Sequence, residues 1–118
     1  MHYNKNDLKI EIVMSTTVTT AIRQATIARI IGNSTIATSK ALLIEEIINQ
    51  MENGICHFMF MKKDGSVTER FGTLNPALCC QHIKGTGKSP ELRGCTFFWD
   101  VVNGGFRSFR WENVLAIL

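Results

Sequence analysis

The period of the hydrophobic pattern changes at Gly54, and this change constrains the fold more than any other feature of the sequence. In residues 21–53 the apolar residues recur at helical spacing, whereas after Gly54 they follow a period of two, which is typical of strands with one buried face. Within this second part, Lys62-Lys63-Asp64-Gly65 carries the Asp-Gly signature of a β-hairpin turn. The pattern predicts five short strands: Ile55–Met61, Ser66–Leu74, Cys95–Val102, Phe106–Trp111 and Val114–Leu118.

Five short strands, with a long loop after the second and a one-turn break before the last, favour a small antiparallel barrel. Closing so small a sheet removes the edges that it would otherwise expose. We therefore predict an α+β, mainly β protein, in which residues 54–118 form a five-stranded SH3-like or Sm-like barrel. Phe58 and Phe60 are predicted to contribute to its core.

Residues 1–53 are predicted to form an N-terminal strand and one or two helices that pack on the barrel. The strand is Leu8–Val13, where apolar and charged residues alternate. A first helix over residues 21–31 would stop at Gly32-Asn33-Ser34. A second, capped by Thr38 or Ser39, would end at Asn53-Gly54, residues that tolerate a left-handed turn. Its apolar face comprises Leu43, Ile44, Ile47, Ile48 and Met51.

The length and the charge of the chain limit the number of domains, the cellular location and the type of partner that we expect. A chain of 118 residues is expected to form one domain with a short extension. No apolar run reaches the ~18 residues of a membrane span, and the N-terminus lacks the pattern of a secretory signal, so we predict a cytoplasmic protein with no membrane partner. The net charge of +3 lies entirely in residues 54–118, which favours a polyanionic partner.

Motifs for metal binding and catalysis are weak. Cys79, Cys80 and His82 could form an improvised metal site, but the chain has no Cys-x-x-Cys pair. The run 84–89 ends in Gly-Lys-Ser like a phosphate-binding loop, yet His82 stands where the motif needs glycine, and Pro90 follows where a helix should begin. No pair of carboxylates has a spacing that suggests acid–base catalysis. The sequence therefore predicts no enzyme, no catalytic residue, no cofactor and no metal.

The segment 106–111 is the strongest candidate for ligand binding. Alternation places Arg107 on one face with Phe109 and Trp111, and Arg110 on the other face. Aromatic and guanidinium groups together can stack on bases and bind phosphates; the alternative is that Phe109 and Trp111 are core residues and the arginines are solvated. We favour Arg107 as the main contact. The predicted binding residues are Arg107, Arg110, Trp111, Lys62, Lys63, Lys84, Lys88 and Arg93.

Several of these segments together resemble a known family. The segments are Lys62-Lys63-Asp64-Gly65, Phe71-Gly72-Thr73-Leu74-Asn75-Pro76, Lys84-Gly85-Thr86-Gly87 and Gly105-Phe106-Arg107-Ser108-Phe109-Arg110. Their combination, over residues 47–118, resembles a family of small, mostly uncharacterised bacterial and mobile-element proteins, found mainly in Bacteroidetes and described as WYL-like with an Sm-like SH3 β-barrel. The resemblance implies this fold and assigns no function.

Residues 107–114 are also similar to the last segment of true WYL domains, Arg-x-Phe-Arg-x-Asp-Arg-Ile. Those domains sense ligands or nucleic acids in bacterial regulators, and the resemblance places Arg107 and Arg110 on basic positions implicated in binding. The chain departs from the pattern at Glu112 and Asn113, and Gly94-Cys95-Thr96 stands in place of the Trp-Tyr-Leu tripeptide.

The sequence thus predicts a non-enzymatic binding or regulatory module that binds nucleic acid or a nucleotide ligand weakly and in a salt-sensitive manner through its basic loops and the strand 106–111. One alternative is a structural or protein-interaction module that forms homo-oligomers. Another is a small transcription regulator, since residues 27–43 resemble a helix-turn-helix with Ala28 in its first helix and Gly32 at its turn.

Overall fold

The computed structural model of the protein describes residues 19–78, 91, 92 and 94–118, and the predicted strand Leu8–Val13 lies outside them. Helix α1 covers residues 19–31. The elements that follow are helix α2 (Ser34–Asn53), strands β1 (Ile55–Met61), β2 (Val67–Thr73), β3 (Glu91–Leu92), β4 (Cys95–Asp100) and β5 (Gly105–Arg110), the 3-10 helix η1 (Trp111–Asn113) and strand β6 (Val114–Ile117). The predicted order of two helices followed by strands is confirmed.

The two helices meet at Gly32 and Asn33. Gly32 has a φ of 72°, and its N–H donates to the carbonyl of Ala28 at 2.8 Å, which ends α1. The Asn33 side chain accepts a hydrogen bond from the Ile36 N–H at 2.9 Å and caps α2. The predicted cap at Thr38 or Ser39 is therefore wrong. Asparagine is one of the best N-cap residues, and Asn33 directly follows the turn at Gly32. Thr38 and Ser39 lie inside the helix.

The other end of α2 lies where the sequence predicts it. The helix ends at Asn53, and Gly54 follows as its C-cap. The backbone of Gly54, however, has a φ of 167° and is extended, so the predicted left-handed turn is not formed there. An extended Gly54 leads the chain directly from α2 into β1.

One face of α2 packs on the sheet. Its buried residues recur every three or four positions, as an amphipathic helix requires, and they are Ala37, Ala41, Ile44, Ile47 and Met51. Leu43 and Ile48 are partly buried against the same core, so the predicted apolar face is confirmed. The helix contacts β1, β2, η1 and β6. Lys40 adds a hydrogen bond from its Nζ to the carbonyl of Val114 at 2.6 Å, which fixes α2 against the start of β6.

The main strands form an antiparallel sheet in the order β6-β1-β2-β4-β5. The predicted hairpin about Asp64 and Gly65 is confirmed, with Met61 opposite Val67 and Ile55 opposite Thr73. Strand β4 pairs with β5 along its whole length. The other edge of β4 pairs with two strands. The first two residues of β4 pair with β3, and its last two residues pair with the last two residues of β2.

Two features of the sheet differ from the predicted barrel. Among the strands that the structure describes, no ladder joins β5 to β6, so the sheet curls over its core without closing. Strand β3 is additional, since the sequence indicates only a loop at Glu91–Leu92. Two residues are too few to show an alternating pattern.

The core lies between α2 and the inner face of the sheet. Phe58 and Phe60 are both buried there, as predicted. The Phe58 ring contacts those of Phe98 and Phe109 with centroid distances of 5.1 and 5.4 Å, both edge-to-face. No helix in the part of the chain that the structure describes is long and apolar enough to cross a membrane.

Candidate nucleic-acid interface

The two faces of β5 have opposite environments. Arg107 and Phe109 point to the inner face, and Phe109 is only 2% exposed. Phe106, Ser108 and Arg110 point to the outer face, where Phe106 is 51% exposed. The face that the sequence analysis favoured for ligand binding is thus the core face, and the solvent-facing side of the strand is the other one.

Trp111 belongs to the core. Its ring is buried, and its indole Nε1 donates a hydrogen bond to Thr96 Oγ1 at 2.9 Å. A buried indole whose N–H is satisfied stabilises the fold and leaves little ring surface for stacking on a base. The structure therefore places this predicted binding residue among the core residues, together with Phe109.

Arg107 lies beside a fully buried carboxylate. Its Nε is 3.5 Å from Oδ2 of Asp100, and the Nε of Arg70 is 3.6 Å from the same oxygen. Asp100 ends β4 and pairs with Gly72 on β2 and Gly105 on β5, so this ion-pair cluster of Arg70, Asp100 and Arg107 joins three strands. Although 45% of its side chain is exposed, Arg107 has a structural role as the partner of a buried charge.

Hydrogen bonds satisfy the Asp100 carboxylate at the β4–β5 turn. Oδ1 accepts the backbone N–H groups of Val102 and Asn103, each at 3.0 Å, and Oδ2 accepts the Asn103 side-chain amide at 2.9 Å. Burial alone would raise the pKa of Asp100. The hydrogen bonds from the side chain and backbone of Asn103, from Val102 and from Arg107 outweigh it, so the pKa lies below its ordinary value.

The outer face of the β4–β5 hairpin carries a pair of aromatic rings and, four residues further along β5, a guanidinium group. Trp99 lies opposite Phe106, and their rings are in edge-to-face contact at 5.1 Å. Arg110 lies opposite Cys95, with 54% of its side chain exposed. We call this surface the hairpin outer face; its residues are Phe97, Trp99, Phe106, Ser108 and Arg110.

The amino-acid sequence of the sheet and of the end of α2 places the chain in a family. Residues 44–115 match the model of the WYL_2 family, described as an Sm-like SH3 beta-barrel fold. The chain belongs to this family. Membership confirms the predicted resemblance to a WYL-like family with an Sm-like SH3 β-barrel fold, and it indicates a binding or regulatory module without assigning a ligand. Comparisons with curated proteins and with solved structures found no match.

Two further predicted binding residues of this WYL_2 protein, Lys62 and Lys63, are not brought to the hairpin outer face. Lys62 and Lys63 are exposed in the β1–β2 turn. With a rise of ~3.3 Å per residue, Val67 at that turn lies roughly 17 Å along β2 from Gly72, where β2 begins to pair with β4. Three predicted residues, Lys84, Lys88 and Arg93, lie outside the described residues.

The alternative sites also have a place in the structure. The helix-turn-helix resemblance falls on α1, the Gly32 turn and α2, and α2 buries one face on the WYL_2 sheet. DNA binding by this pair of helices stays a prediction. In the part of the chain that the structure describes, no three His, Cys, Asp or Glu side chains could hold a metal ion. Cys79, Cys80 and His82 lie outside that part.

Sequence reasoning missed the contribution of β4 to the hairpin outer face. In Cys95–Asp100 apolar residues occupy both faces, so alternation does not tell inside from outside. The tight turn before Gly105 is the sequence feature from which the outward-facing residues of β4 could have been predicted. Antiparallel pairing about that turn puts Trp99 opposite Phe106, and both must then share a face.

Proposed function

We propose that this WYL_2 protein binds single-stranded nucleic acid on the hairpin outer face. The observation that supports this most strongly is the exposed ring of Phe106 in contact with Trp99, on the same face as the exposed guanidinium group of Arg110. Aromatic rings stack on unpaired bases of any sequence, and an arginine beside them can bind the phosphate backbone.

Of the two arginines on β5, Arg110 is better placed to contact a ligand. Arg107 is engaged with the buried Asp100, whereas Nη1 of Arg110 lies 4.0 Å from the carboxylate of Glu112. The Arg110 side chain is 54% exposed whereas that of Glu112 is only 14% exposed, and a separation of 4.0 Å is at the limit for an ion pair, so the guanidinium group stays accessible to a phosphate.

The distribution of charge supports the same proposal. The net charge of +3 lies entirely in the half of the chain that contains the sheet. So small an excess gives weak attraction that depends strongly on ionic strength, because each phosphate contact releases condensed counterions. We therefore expect micromolar or weaker binding at physiological salt.

Replacing Arg110 with alanine is expected to weaken binding about tenfold, equivalent to a charge-assisted contact of about 1.4 kcal/mol. The slope of log affinity against log salt should fall by about 0.7, the value for one phosphate contact on a single strand. The measurement is fluorescence anisotropy with labelled oligothymidylate and oligouridylate, titrated at several salt concentrations.

Arg107→Ala is the matched control, because it removes the same charge from the other face of the same strand. We expect it to change affinity less than about twofold once its folded state is confirmed by thermal unfolding. The proposed interface is contradicted if Arg107→Ala weakens binding and Arg110→Ala does not, or if the wild-type protein binds neither oligonucleotide at low salt.

A second candidate function is a protein-interaction module that forms homo-oligomers. Strands β5 and β6 each pair with a single neighbour among the described strands, and such sheet ends can pair with strands of another chain. This interface would bury backbone and apolar groups, so its strength would depend little on salt. Light scattering over a range of protein concentrations distinguishes it from the first, since a mass that stays monomeric at all concentrations rules out the oligomer.

A further inference from the structure

An exposed aromatic pair lies on the outer face of the sheet, outside the β4–β5 hairpin. The ring of Phe71 on β2 stacks on the imidazole of His57 on β1, with centroids 4.0 Å apart and planes 12° apart. Phe71 is 39% exposed, and Glu69 lies at the edge of the pair, with Oε2 3.5 Å from His57 Nε2. Because the imidazole fixes the ring of Phe71 from one side, a base that stacks on it would not have to order a mobile side chain.

Strand register connects this pair to the hairpin outer face. Thr73 lies opposite Trp99, so Phe71, two residues earlier on the same face of β2, is a diagonal neighbour of Trp99. Such diagonal neighbours are about 7–8 Å apart, with their Cβ atoms somewhat closer, and so lie within reach of aromatic side chains. The N–H of Val101 donates to the carbonyl of Phe71 at 3.0 Å and holds the strands together at this point.

The two ring pairs thus lie on four adjacent strands of the same face, and together we call them the aromatic stripe: His57 on β1, Phe71 on β2, Trp99 on β4 and Phe106 on β5. Strands in a sheet are about 4.8 Å apart, so the stripe extends over roughly 14 Å. In one common RNA-binding module, a four-stranded sheet stacks two or three bases on its exposed aromatic side chains. The length of the stripe suits such a segment.

We infer that the bound strand runs across the β-strands along the aromatic stripe, with one base stacked on Phe71 and others on the hairpin outer face. This inference rests on the proposed function and deepens it, because it assigns a binding role to a residue on a different hairpin from Arg110. It also selects unpaired nucleic acid, since the base faces of a duplex are already stacked on each other and cannot reach the rings.

Phe71→Leu tests the inference, because leucine retains an apolar side chain at this position and removes the ring. By anisotropy with a labelled eight-nucleotide oligothymidylate, we expect at least about fivefold weaker binding, the effect of one lost base stack. The salt slope should stay at the wild-type value, in contrast to Arg110→Ala. A duplex of the same length should bind the wild-type protein more weakly than the single strand does.

Val67→Ala is the matched control, since Val67 is exposed on the same face of β2 but lies toward the β1–β2 turn, away from the stripe. It should leave binding unchanged. If Phe71→Leu has no effect while Arg110→Ala weakens binding, the inference is overturned and the proposed function stands. The inference is likewise overturned if the duplex binds as tightly as the single strand. If no oligonucleotide binds, the proposed function itself fails.

Discussion

Asp100→Ala is expected to lower the free energy of unfolding by about 3–5 kcal/mol, the usual cost of removing one partner from a buried ion pair. The substitution leaves Arg70 and Arg107 without their shared carboxylate, and it removes the acceptor for Val102 and Asn103 at the β4–β5 turn. Because Asp100 joins three strands, the loss should affect the whole sheet. Urea unfolding monitored by circular dichroism measures it.

Asp100→Asn separates charge from hydrogen bonding, because the amide oxygen can still accept from the turn. We expect a smaller loss of stability than for alanine. The pKa of Asp100 is lowered in the folded protein, so its contribution is fully present above the unfolded pKa of about 3.9 and is lost as pH falls through the folded pKa. Between neutral pH and about pH 3 the wild-type protein should therefore lose more stability than the asparagine variant. An alanine variant within about 1 kcal/mol of wild type would contradict this structural role.

Phe58→Ala is expected to cost about 3–5 kcal/mol, as is usual when a buried phenylalanine is truncated. Phe58 is fully buried, and its ring contacts those of Phe60, Phe98 and Phe109 from three other positions of the inner face. Loss of the ring leaves a cavity that these large side chains fill only in part. The measurement is the shift of the midpoint of urea unfolding at unchanged slope.

Phe106→Ala is the control, because it removes the same side chain from the exposed face of the sheet. Its cost should stay below about 1 kcal/mol, as for most surface substitutions. Equal losses for Phe58→Ala and Phe106→Ala would mean that the inner and outer faces are assigned incorrectly.

Local chemistry made part of this fold predictable. The Asp64-Gly65 turn fixes the register of the first hairpin, and alternation puts Phe58 and Phe60 on one face of β1, which their large apolar side chains indicate to be the core face. The helix α2 was equally clear from its apolar face. These features depend on residues that are close in sequence, which is why periodicity and turn chemistry suffice for them.

Long-range contacts explain what the sequence did not reveal. Gly72 appears in the sequence only as a strand glycine, yet a Cβ there would lie 2.7 Å from Cδ2 of Phe98. The pairing of Arg70 with Asp100 joins residues on strands that are far apart in the chain. Alternation identifies which residues share a face but not which face is buried, and so it does not decide between Arg107 and Arg110 as the exposed arginine. That choice depends on where α2 packs.

The two tryptophans of the chain provide the most direct test of the proposed interface. Trp99 lies on the outer face in contact with Phe106, and the indole N–H of Trp111 is buried and hydrogen-bonded to Thr96. In a two-dimensional ¹H–¹⁵N spectrum each indole gives its own resonance. When single-stranded oligonucleotide is added, we predict that the Trp99 resonance shifts in a saturable manner while that of Trp111 stays in place. A shift of Trp111 alone, or saturable binding that leaves Trp99 unmoved, would contradict binding at the hairpin outer face.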